Sequence, residues 1–108
     1  GTNVTSISAA AYLKIAQDYA GTGAASRAQL LAAAALFSEN KFAEAAELYR
    51  KYRDENPESP FASTASLGIA ASLEAQNKID DALQAYQAMT TSYPNAAEIE
   101  AAKMGIAR

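Results

Sequence analysis

The chain has 108 residues, a net charge of −3 at pH 7, and no Cys, His or Trp. That length suits one domain at most. The mild acidity argues against a nucleic-acid partner, which would call for a basic patch, and the absence of Cys excludes a disulfide framework and thiol chemistry.

Half of the residues are apolar, 50%, but alanine supplies much of that share. Alanine favours helices and lets them approach closely, so the expected core is thin and continuous. The longest unbroken apolar run, residues 30–37, is shorter than the roughly 20 residues needed to span a bilayer.

The apolar pattern has helical spacing throughout. A first helix is expected over residues 5–20, with Ile7, Ala11, Tyr12, Ile15 and Tyr19 as its inward stripe. A second covers 24–39, with Ala28, Leu31, Ala32, Ala35 and Leu36 inward. Asn40 closes it in a left-handed conformation, as Asn77 does one period later. A third covers 42–55, with Phe42, Ala45, Ala46, Tyr49 and Tyr52 inward; Glu47 and Lys51 are placed for an i,i+4 pair. Pro57 ends it, and Ser59-Pro60 reads as an N-cap and first helical position for a fourth helix over 60–76. A fifth covers 79–92, closed by Pro94. A sixth begins near Ala96, with Asn95 and Glu98 at capping-box spacing.

These helices repeat. Tyr12, Tyr49 and Tyr86 lie 37 residues apart (49 − 12 = 86 − 49 = 37). In the same register Asn40-Lys41 recurs as Asn77-Lys78, Pro57 as Pro94, and Leu67-Gly68-Ile69-Ala70 as Met104-Gly105-Ile106-Ala107. A fixed period of this size predicts stacked repeats, each burying its apolar face against its neighbours. Gly68 and Gly105, once per period in mid-helix, mark close contact between elements.

Ala45, Tyr49, Tyr52 and Pro57, copied as Ala82, Tyr86, Met89 and Pro94, resemble the second helix of a tetratricopeptide repeat (TPR). Ala32-Ala33 with Leu36, and Ile69-Ala70 with Leu73, resemble its first helix. Gln29 and Ser66 replace the family's tryptophan, and the unit is 37 residues long where about 34 is usual. The resemblance implies an all-α fold, a right-handed superhelical array of antiparallel helix pairs. Residues 1–22 would be the second helix of a partial repeat, 23–59 and 60–96 full repeats, and 97–108 the start of another. Cut repeats at both ends suggest a piece of a longer protein.

Asn56-Pro57-Glu58-Ser59-Pro60 with Ala62, Tyr93-Pro94-Asn95, and the opening set Ala10, Tyr12, Leu13, Ile15, Ala16, Asp18, Tyr19, Gly21 and Thr22 are similar to bacterial cell-envelope TPR proteins. These are the translocon ancillary subunit, the Tol–Pal periplasmic protein and the outer-membrane-assembly lipoprotein. That similarity implies a periplasmic or periplasm-facing, membrane-anchored location.

The resemblance also implies a concave groove lined by first helices. Carried onto this sequence, the groove positions are Arg27, Leu30, Leu31, Ala34 and Phe37, then Thr64, Leu67, Gly68, Ala71 and Glu74, then Met104, Gly105 and Arg108. Leu30, Phe37, Leu67 and Met104 would grip an apolar segment of a protein partner, with Arg27 and Glu74 orienting it and Ala34 and Ala71 forming the wall. Packing against a neighbouring repeat is the competing role for the same side chains. Leu30 and Ala34 stand at the carboxylate-clamp positions of chaperone adaptors, which argues against that function. No nucleophile–base pair, phosphate loop or metal-ligand set is present, so no enzyme activity, cofactor or metal is expected. The expected function is a protein-interaction scaffold. The alternatives are a structural spacer or a glycan- or solute-binding component. Weak self-association through the array ends is a further expectation.

Overall fold

The computed structural model describes residues 7–96 and 99–107. Six helices follow one another: α1 (Ala9–Asp18), α2 (Gly23–Ser38), α3 (Phe42–Glu55), α4 (Ala62–Ala75), α5 (Ile79–Ser92) and α6 (Ile99–Ala107). No strand occurs among the described residues. Each helix packs on its chain neighbours, and α2 also touches α4. Short turns between packed helices make neighbours antiparallel, so alternate helices fall into two layers.

The helix ends follow from local chemistry. Asn40 and Asn77 adopt φ of 65° and 63°. Lys41 N–H then donates to Leu36 O at 2.8 Å, and Lys78 N–H to Leu73 O at 3.0 Å, closing α2 and α4 as Schellman motifs. The Thr22 hydroxyl accepts from Ala25 N–H at 3.1 Å and donates to Tyr19 O at 2.6 Å, so one side chain starts α2 and ties down the end of α1. Ser8 caps α1 by accepting from Ala11 N–H at 3.2 Å.

Three expectations from sequence need correcting here. The fourth helix starts at Ala62, not Pro60. Ser59 Oγ accepts from Phe61 N–H at 3.0 Å and bonds the Tyr52 hydroxyl at 2.8 Å, so it builds the turn and does not cap the helix. Glu47 meets Arg50 at 4.0 Å, one residue short of the expected Lys51. The inward stripe of the first helix is also different. Ala9 is buried on α1, whereas Ile7, Ile15 and Tyr19 are 51%, 40% and 59% exposed. Among the described residues α1 has one packed neighbour, α2, so the rest of its apolar face meets solvent. Thr5, Glu98 and Arg108 lie outside the described residues.

Alanine brings the layers together. Ala32, Ala33, Ala45, Ala65, Ala70 and Ala102 are fully buried. One core cluster joins Leu36, Tyr49, Tyr52 and Ile69; a second joins Ala70, Tyr86, Met89 and Ala102. Between them the two glycines make room. A Cβ on Gly68 would stand 2.5 Å from Cε2 of Tyr49, and one on Gly105 would stand 2.6 Å from Cε2 of Tyr86. Tyr49 and Tyr86 are therefore each seated on the glycine of the following repeat.

Candidate functional site

Gly68 follows Tyr49 by 19 residues, and Gly105 follows Tyr86 by 19, but the residue 19 after Tyr12 is Leu31. Tyr12 is half-buried and Leu31 stands 41% exposed, on two helices that pack closely together. Both line a cleft of 580 Å³ walled by Ile7, Tyr12, Leu31, Ala34 and Ala35, with Ser8, Ser38 and Glu39 at its polar end.

Glu39 holds that end in place. Its Oε2 accepts from Ala9 N–H at 2.9 Å, satisfying a first-turn donor of α1 and placing negative charge where the helix dipole favours it. Its Oε1 lies 3.6 Å from Lys41 Nζ. An apolar wall with a fixed carboxylate and two hydroxyls suits an apolar side chain that carries a hydrogen-bond donor nearby.

The groove residues expected from sequence differ in their surroundings. Leu30 and Phe37 are half-buried and pack against the first core cluster, and Leu67 packs against the second. The Phe37 ring meets Phe42 edge-on, with centroids 4.9 Å apart. Arg27 is exposed and Ala71 half-buried. Glu74 accepts from the Tyr86 hydroxyl at 2.7 Å, within a second, smaller pocket of 290 Å³ beside Ile79, Leu83 and Ile106. Met104 stands on α6, 63% exposed. Ala34 and Leu31 share the open cleft. Ile7, Tyr12, Ser38 and Glu39 belong to it as well and were missed. Their signal in the sequence was the leucine standing where the period puts glycine.

A separate furrow lies between α1 and α3, lined by Gln17, Gln29, Lys51, Glu55 and Asn56. Burial holds the Tyr49 phenol above its ordinary pKa. That effect belongs to the core, since the ring is 8% exposed.

Tyrosine seated on glycine at a fixed period is helical-repeat packing, and a family model agrees. The tetratricopeptide repeat-like domain model matches residues 3–103. The chain belongs to this family. No match was found to a curated protein or to a solved structure. TPR-like domains are in general protein-interaction scaffolds, typically without catalysis of their own. Among the described residues no helix of this TPR-like domain is long and apolar enough to cross a membrane.

Proposed function

We propose that this TPR-like domain is a non-catalytic scaffold of a bacterial cell envelope, and that the α1–α2 cleft receives an apolar segment of a partner protein. One observation carries the reading. Where the period puts glycine the α1–α2 pair has Leu31, and Leu31 and the half-buried Tyr12 line an open cleft, while Tyr49 and Tyr86 at the equivalent position of Tyr12 are buried. The likeness of Asn56-Pro57-Glu58-Ser59-Pro60 and Tyr93-Pro94-Asn95 to envelope TPR proteins supports the location and a periplasm-facing orientation.

The test is selection of peptides from a random library against the protein, followed by affinity measurement on variants. Enriched peptides should carry apolar residues and lose about tenfold or more in affinity, roughly 1.4 kcal/mol, on Leu31→Glu. They should be unaffected by Lys51→Glu, which lies in the separate furrow between α1 and α3. Peptides indifferent to Leu31→Glu, or no enrichment at all, would remove the cleft as the site and leave a spacer as the better description. Protease accessibility in spheroplasts tests the orientation.

A further inference from the structure

Two furrows lie in the same register, one repeat apart. Gln29, Leu48, Lys51, Glu55 and Asn56 line the furrow between α1 and α3, of 540 Å³. Their equivalents 37 residues on are Ser66, Ala85, Ala88, Ser92 and Tyr93, which line a furrow of 250 Å³ between α3 and α5. This second furrow stays open although the repeat before it is in place, with α2 touching α4. Such a furrow therefore belongs to the body of the stack and is not a face left for another repeat.

The first furrow departs from its copy in what lines it. Arg53 and Tyr93 border the second, where the first has the smaller Ala16 and Asn56. Lys51 and Glu55 stand where the second has Ala88 and Ser92. On α3, Arg50 pairs with Glu47 and Arg53 with Asp54, but Lys51 and Glu55 form no ion pair among the described residues. In the same furrow Gln29 Nε2 is buried with no hydrogen-bond partner among the described residues, a rare and costly state for a donor. The Asn56 side-chain amide donates to Tyr52 O at 3.0 Å, which leaves its own oxygen as an acceptor.

We propose that the furrow between α1 and α3 binds a short zwitterionic peptide, of dipeptide size, with apolar side chains. Lys51 and the Gln29 amide N–H take the carboxylate, Glu55 and the Asn56 oxygen take the ammonium, and Leu13, Ala16 and Leu48 cover the apolar part. One cation and one anion, both unpaired, suit a ligand of net charge zero and oppose a simple anion or cation. Lys51 and Glu55 are four residues apart on one helix, about 6 Å along its axis, and two extended residues span about 7 Å. The volume is that of a small-ligand site. This site is separate from the α1–α2 cleft and does not depend on it.

Amide NMR of the protein titrated with leucyl-leucine should show saturable shifts at the Gln29 side-chain amide and at Lys51, Glu55 and Asn56, and none at Ser38 in the cleft. Gln29→Leu should weaken binding about tenfold or more, and Lys51→Gln about two- to fivefold. Asn56→Tyr, which installs the side chain of the second furrow, should abolish saturable binding with helical content unchanged. N-acetyl-leucyl-leucine amide has the same side chains and no charge, and should bind about tenfold or more weakly. Leu31→Glu should leave binding as it is. Four outcomes would overturn the proposal: no saturable shift at millimolar leucyl-leucine, equal binding of the blocked dipeptide, unchanged binding by folded Asn56→Tyr, or loss of binding on Leu31→Glu.

Discussion

At Gly68 the side chain is a hydrogen atom, and the Tyr49 ring lies where a Cβ would otherwise point, 2.5 Å from Cε2. Two effects oppose each other on Gly68→Ala. Helix propensity gains about 1 kcal/mol, while displacing a buried ring costs roughly 1–3 kcal/mol. Tyr49 is 8% exposed and belongs to the first core, so displacement wins. The expected result is a net loss of about 1–2 kcal/mol in chemical denaturation. A variant as stable as wild type would mean that the ring turns aside freely.

At the scale of the element, each unit is one helix closed by asparagine and a second closed before proline. The asparagines are required by conformation, since φ of 65° and 63° disfavours most L-residues by roughly 1–2 kcal/mol. Asn77→Ala should therefore lower stability by about 1 kcal/mol and Asn77→Gly should leave it within a few tenths, both read from denaturant midpoints. Equal losses from the two would show that the amide, not the backbone, matters there. Helix starts were less legible than helix stops. Ser59-Pro60 has the residues of a start, yet the Tyr52 hydroxyl takes the serine, and sequence spacing does not show that a side chain seven residues back will compete for it.

Across the whole molecule, stability should fall unevenly. Both α3 and α5 are packed on two sides and seat their tyrosines on glycine, whereas α1 packs on α2 alone and α6 on α5 alone. Amide exchange should accordingly be fastest in α1 and α6 and slowest in α3 and α4, through local opening that spares the rest. Uniform protection from α1 to α6 would count against this unevenness. In a stack where each unit touches only its neighbours, a helix packed on one side opens locally and leaves the central units intact.

The sequence by itself determined the helices, their period and their family, because helix spacing and turn chemistry are local and repeat in register. It also placed Tyr49 and Tyr86 in the core and Asn40 and Asn77 in left-handed turns. It could not say which side of Leu30, Phe37 and Leu67 faces inward, since a repeat's helix has apolar neighbours on two sides and the spacing is the same for both. Only the tertiary structure decided that these side chains serve the core, that Glu74 holds the Tyr86 hydroxyl, and that the open surface lies at Leu31. The physical reason is that a seam is a relation between residues 19 apart on different helices, and whether it closes depends on the volume that both sides bring to it.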